Sequence, residues 1–212
     1  MQDLTAKETV LKRIRQALIQ KKGLRFPGTE WDKNVYEAGN DGLEEQFAKN
    51  FTKVGGQFIF CENENEFIEI ISKLSSEKNW THIYCREASI AEKLTNAIFP
   101  FTSSDNIFPE GMVSITSCEA LISRLGSVLV SSGQGSGRQA FVIPTTHIIL
   151  AYTSQLVAEL KDGLQVIKNK YGDRLPSFIA SLTGPSRTAD IEKTLVTPAH
   201  GPRDILVFLI DD

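Results

Sequence analysis

Two short runs, ThrGlyProSerArgThrAlaAsp at 183–190 and AlaHisGlyProArgAsp at 199–204, hold the side chains of this chain best suited to gripping an anion. In each, a Gly-Pro pair arrests regular structure, because the proline ring fixes φ and removes a backbone N–H. Arg187 and Arg203 follow those pairs, and a guanidinium can hold a carboxylate or phosphate through two parallel donors. Ser186 or Thr188 is placed to cap a helix opening after the first turn, with Asp190 in its first turn. A cation at the positive end of a helix needs a balancing charge, which a bound anion or Asp190 itself can supply. Thr183, Gly184 and Gly201 complete the candidate anion-binding set. His200 is the one candidate catalytic residue: it titrates near neutral pH, although a loop histidine also serves as a plain structural donor.

A third run, SerSerGlyGlnGlySerGlyArg at 131–138, follows a buried apolar strand. Its glycines permit close backbone approach, successive N–H groups can form an anion nest, and Arg138 would be the fixed positive partner. The alternative is a connecting loop, since the spacing fits neither a P-loop nor GxGxxG. All three runs are expected at the carboxyl ends of parallel strands, where helix N-termini and loop amides converge. His82 and His147 fall in apparent strands and read as packing or polar-end residues. Cys118 stands at an apparent helix start, where a thiol pKa can fall, but with no partner histidine in view it reads as a small buried hydrophobe.

The elements that must position these loops alternate along the chain. Thr5 and Glu8 form a capping box ahead of an amphipathic helix carrying Val10, Leu11, Ile14 and Leu18. Residues 23–42 read as a connecting segment, and a helix follows from Leu43 to Val54, stopped by Gly55. Apolar runs at 57–61, 80–85, 112–116, 127–131, 147–152, 177–182 and 205–210 read as strands. Helices are expected at 64–74, 87–97, 118–125 and 154–170. Continuous apolar strands separated by helices predict an α/β fold, a mostly parallel sheet with helices on both faces. The organisation expected is an N-terminal helical arm and connecting segment over 1–42, then one α/β domain over 43–212.

Charge and composition narrow the function. The 212 residues carry 23 basic and 26 acidic side chains, a formal net charge of -3, with no concentrated basic run, which argues against a nucleic-acid groove. No apolar run is long enough to span a bilayer and the N-terminus is unlike a signal peptide, so the expected location is cytoplasmic. Cys61, Cys85 and Cys118 are widely spaced and lack a CxxC. Neither a metal site nor an iron–sulfur cluster is expected from this chain alone, and no cofactor is specified.

The runs ThrGlyProSerArgThrAlaAspIleGlu, 183–192, and HisGlyPro, 200–202, resemble the signature of the LUD-domain family of lactate utilization proteins. The order of the other pieces agrees, including CysGluAlaLeuIleSerArgLeuGlySer at 118–127. The resemblance implies a fold similar to the ribose-phosphate isomerase and CoA-transferase group. It also implies a place in a cytoplasmic, three-protein system that oxidises L-lactate to pyruvate with cysteine-rich, iron–sulfur partner subunits. The chain departs from the family pattern at SerArgLeuGlySer, 123–127, where an AlaGluThrGlyThr-like run is usual, and at ThrProAla, 197–199, before the histidine. Two other readings stand beside it: a self-sufficient isomerase, CoA-transferase or cyclo-ligase type enzyme acting on an anionic metabolite, and a non-catalytic binding module.

Overall fold

The computed structural model describes residues 5–19, 41–103, 111–186, 188–189, 195–196 and 201–212. The chain divides into Met1–Gly39 and Asn40–Asp212. In the first unit lies α1 (Ala6–Ile19). Its start is the capping box read from the sequence: Thr5 N–H and Oγ1 each donate to Glu8 Oε2 at 2.9 Å, and Glu8 N–H donates to Thr5 Oγ1 at 3.3 Å.

The second unit opens with α2 (Leu43–Lys53), β1 (Gln57–Cys61), α3 (Glu64–Glu77), β2 (Ile83–Tyr84) and α4 (Ala88–Asn96). It continues with β3 (Val113–Thr116), β4 (Ala120–Ile122), β5 (Ser127–Ser131), β6 (Thr146–Tyr152) and β7 (Leu156–Val157). Next come α5 (Leu160–Tyr171), β8 (Ile179–Leu182), β9 (Thr188–Ala189), β10 (Leu195–Val196) and β11 (Asp204–Ile210). The α/β fold is as expected. The main sheet has the order β1-β11-β6-β3-β2, with every pairing parallel.

Strand periodicity distributes the core. In β11, Leu206, Phe208 and Ile210 join one cluster with Phe67 and Ile71 of α3 and Ile90 and Leu94 of α4. Ile205, Val207 and Leu209 face the other way, into a cluster with Phe47 and Phe51 of α2. Alternate residues of a strand point to opposite faces, so a run apolar at every position must be covered on both. The same division separates Ile148 and Leu150 from Ile149 and Ala151 in β6.

A second sheet, β7-β4-β5-β8, covers much of the α2 side. This corrects the expectation of a single sheet. The run 118–125, read as a helix, contains β4, which pairs antiparallel with β5. Leu121 packs toward the main sheet, while Ala120 and Ile122 pack with Ile167 of α5. Burial on two opposite faces with period two outweighs the helix propensity of CysGluAlaLeuIle. The expected helix 154–170 starts only at Leu160. Before it, Gln155 is held by Tyr152 N–H at 2.9 Å and by its own donation to the Cys118 carbonyl at 2.7 Å, and β7 runs parallel to β4. Finally β8 pairs antiparallel with β5, not in the main sheet, and the segment after it forms the antiparallel pair β9/β10 where a helix was expected.

Phe208 is fully buried and meets the Phe67 ring edge-on, with 5.1 Å between centroids. Phe208→Ala is expected to cost about 3–5 kcal/mol of unfolding free energy. Urea unfolding should show the midpoint falling with the slope unchanged.

Candidate functional site

Three backbone segments meet where α2 ends. The β4–β5 turn, Ser123–Gly126, tucks beneath the helix: Asn50 Nδ2 donates to the Ser123 carbonyl at 2.9 Å and to that of Arg124 at 3.1 Å. Gly126 has φ +57, and a Cβ there would lie 2.4 Å from the backbone carbon of Asn50 and the nitrogen of Phe51. Gly184, with φ +76, opens the turn after β8, and a Cβ there would lie 2.3 Å from the Val54 carbonyl oxygen. Only glycine satisfies both the dihedral and the spacing at these two positions. Ser127 and Thr183 tie the strands together through hydroxyls 2.8 Å apart.

These junctions leave a cleft of about 560 Å³ lined by Asn50, Lys53, Val54, Arg124, Leu125, Thr183 and Pro185. That volume lies within the usual range for small-ligand sites. Its electrostatic character is set by two cations. Arg124 Nε donates to Glu159 Oε1 at 2.6 Å, and this bond holds the Glu159 carboxyl below its ordinary value. Lys53 stands on the last turn of α2 and is exposed. A carboxylate or phosphate entering the cleft would meet the Lys53 ammonium, the Arg124 guanidinium and the Thr183 hydroxyl region.

The sequence-derived candidates are divided among several places. Thr183 lines the cleft and Gly184 shapes its wall. The two Gly-Pro turns do meet, although β11 is not beside β8: Ser186 N–H donates to the Pro202 carbonyl at 3.1 Å. A Cβ on Gly201 (φ +125) would stand 3.4 Å from Ser186 Cβ. Arg203 precedes β11, so it lies at the amino edge of the main sheet, not the carboxyl edge expected for it. Its N–H donates to the Thr145 carbonyl at 2.9 Å, and its Nε is 3.3 Å from Asp204. Arg138 is elsewhere, donating to Ser177 Oγ at 2.5 Å with its guanidinium over the Phe178 ring. Thr188 is in β9, not at a helix cap. Arg187, Asp190 and His200 lie outside the described residues. Asn50, Lys53 and Arg124 are missed by reading motifs alone; the signal available was Gly126 inside SerArgLeuGlySer, where the turn combines a positive φ with a close backbone approach.

The family model of the LUD domain matches residues 44–210, a span that contains the whole cleft. The chain belongs to the LUD-domain family. Among its relatives, the lactate utilization protein C of Bacillus licheniformis is 34% identical over 102 residues, 47% of this chain and 42% of that protein. That of Shouchella clausii is 36% identical over 101 residues, 47% of this chain and 44% of that protein. These alignments therefore span less than half the length of those two relatives. The lactate utilization protein C of Macrococcus caseolyticus matches more widely, at 25% identity over 181 residues, 84% of this chain and 72% of that protein. A crystal structure of a DUF162 family protein from Deinococcus radiodurans superposes with a TM-score of 0.57 at 18% identity, covering 79% of this chain and 96% of that one. The LUD fold is thus shared.

At the other end of the main sheet, the LUD domain buries two carboxylates. Glu87, just before α4, accepts from Ser117 N–H at 2.9 Å and from the Ser117 hydroxyl, to which Gln134 Nε2 also donates at 3.1 Å. Glu119 accepts from Ser131 Oγ at 2.6 Å, Tyr171 OH at 2.7 Å and Lys170 Nζ at 2.8 Å. Burial raises the Glu87 carboxyl, and the Ser117 bonds offset this only in part. Burial also works to raise Glu119, but Lys170, Ser131 and Tyr171 outweigh it and hold that carboxyl below the ordinary value. His147, fully buried with Nε2 2.8 Å from Thr116 Oγ1, is pushed down to about 3 by desolvation and is neutral. Burial pushes the Cys61 thiol up to about 11 and that of Cys85 up to about 12, and raises Cys118 as well. None of the three is a poised nucleophile.

Two outcomes follow. Gly126→Ala combines a positive φ with a backbone clash and is expected to cost about 2 kcal/mol or more; thermal unfolding measures it, and an unchanged midpoint would contradict the close approach to Asn50. Glu119 has a depressed carboxyl, so its contribution to stability is present above the unfolded pKa and lost as pH falls through the folded one. Glu119→Gln should therefore destabilise by about 1–3 kcal/mol at pH 7. The gap to the parent protein should close in acid, read from melts taken from neutral pH to about pH 3.

Proposed function

We propose that this LUD domain serves in lactate utilization by binding a small carboxylate, L-lactate or its product pyruvate, in the cleft at the end of α2. The observation that carries the reading is the coincidence of two cations and a hydroxyl, Lys53, Arg124 and Thr183, around a cleft inside the family-matched span. Relatives named lactate utilization protein C supply the physiological setting. Oxidation of L-lactate to pyruvate releases two electrons and two protons. In this proposal the electrons pass to a cysteine-rich, iron–sulfur partner subunit, and the role of this chain is to bind and orient the carboxylate. Arg187, two residues beyond Pro185 in the chain, is proposed to belong to the same anion site.

Lys53 is exposed, so its removal leaves the fold intact. Titration calorimetry of L-lactate and pyruvate should show Lys53→Ala binding about tenfold more weakly, the loss expected for one charge-assisted hydrogen bond. In the native host, deletion of the gene should slow growth on L-lactate, and the Lys53→Ala gene should restore it less than the parent gene does. Equal carboxylate affinity in the two proteins would remove the cleft from the reading, and normal lactate growth of the deletion strain, with no second copy of the gene, would remove the physiological role.

A further inference from the structure

The amino edge of the main sheet holds a second cleft, separate from the one at α2. It measures about 350 Å³ and is walled by the end of α3, the starts of β1 and β11, the turn at Gly111 and the residues entering β6. Its shape follows from how α3 stops. Lys78 N–H donates to the Leu74 carbonyl at 2.9 Å and Trp80 N–H to that of Ser75 at 3.0 Å, with Asn79 between them at φ +53. This left-handed termination turns the chain back on the helix. It leaves Trp80 packed partly against the core cluster while also lining the cleft.

The chemistry of the lining is mixed in a specific way. Trp80 provides an aromatic surface beside Leu206. Lys78 makes no ion pair among the described residues, and Arg203, ion-paired through its Nε to Asp204 at 3.3 Å, lines the same cleft. Thr146 is only 7% exposed, yet its hydroxyl makes no hydrogen bond to a described residue. A hydroxyl that lines a cleft can donate to or accept from a ligand or water there. An aromatic wall, two cations, a carboxylate and a hydroxyl match the parts of one ligand class.

We propose that this cleft binds a mononucleotide: the base against Trp80, the ribose hydroxyls on the Asp204 carboxylate and the Thr146 hydroxyl, and the phosphate on Lys78 and Arg203. Base–aromatic stacking is tolerant of base identity, and a carboxylate accepts from a ribose diol without needing a particular base. The phosphate is the group that recruits the cations. The cleft shares no lining residue with the one at α2, so the inference stands or falls independently of the carboxylate reading.

The chain has two tryptophans, Trp31 and Trp80, so full-length Trp31→Phe protein reports on Trp80 alone. Its fluorescence is titrated with AMP and GMP, and with adenosine, ribose 5-phosphate and inorganic phosphate as the separated parts. Saturable quenching by both mononucleotides is expected, at concentrations at least tenfold lower than for any of the parts. Adding Lys78→Ala should weaken AMP binding about tenfold, whereas adding Lys53→Ala should leave it unchanged. Thr146→Val, with melting temperature followed alongside, should weaken AMP more than inorganic phosphate. The proposal is overturned by no quenching at millimolar AMP, by inorganic phosphate matching AMP, or by AMP affinity indifferent to Lys78→Ala.

Discussion

No strand at the centre of this fold can leave either of its faces to solvent. β11 is apolar at six successive positions from Ile205 to Ile210, every one of them buried. Because successive side chains leave a strand on opposite sides, two separate layers must exist to receive them. α3 and α4 form one layer; α2 with the second sheet forms the other. The second sheet in turn has an outer face, and Ile167 of α5 closes it over Ala120, Ile122 and Leu129. One unbroken apolar strand thus dictates the layers on both of its sides, and the clefts occur where those layers run out.

Legibility in the sequence followed the same physics. β1, β5, β6 and β11 were readable because continuous apolar runs bounded by polar or turn residues have few other ways to be buried. The α1 capping box was readable because its reciprocal bonds lie within four residues. What was not readable depended on partners distant in the chain. β4 carries residues that favour a helix in isolation, and only the register Leu121↔Val128 with β5 makes it a strand. β8 has the same apolar character as a main-sheet strand, and nothing local distinguishes antiparallel pairing with β5 from parallel pairing with β11. The candidate cleft was legible in Thr183 and Gly184, whose turn chemistry is local. It was not legible in Asn50, which acts by hydrogen-bonding carbonyls 73 and 74 residues away.

The placement of the Gly-Pro turns shows how a motif can unite two loops without uniting their strands. Ser186 and Pro202 are joined by a backbone hydrogen bond, yet β8 belongs to the second sheet and β11 to the main one. Such a bond spans the two sheets at the point where each chain segment changes layer. Gly184 and Gly201 supply the positive φ, +76 and +125, at which each turn bends. Consequently the α2 cleft is bordered by a turn that is itself anchored to the entrance of β11.

At the opposite, carboxyl edge, the glycine-rich loop 131–138 lies against two buried carboxylates. Ser131 donates to Glu119, Gln134 accepts from Ser131 N–H at 2.6 Å and donates to Ser117, and Gly133 lies where a Cβ would meet the Tyr171 hydroxyl at 2.4 Å. These bonds and that contact place the loop across two buried carboxylates whose proton affinities are pulled in opposite directions. Glu119 is compensated by a lysine and two hydroxyls and favours the charged form; Glu87, buried and held by the Ser117 hydroxyl and N–H, is pulled toward the neutral form. Two carboxylates this close would repel if both were ionised, and the asymmetry of their partners relieves that by assigning the charge to Glu119. Gly133 is therefore explained by the need to lay backbone against Tyr171, while Gly135 and Gly137 take the positive φ, +82 and +77, that the loop's turns require.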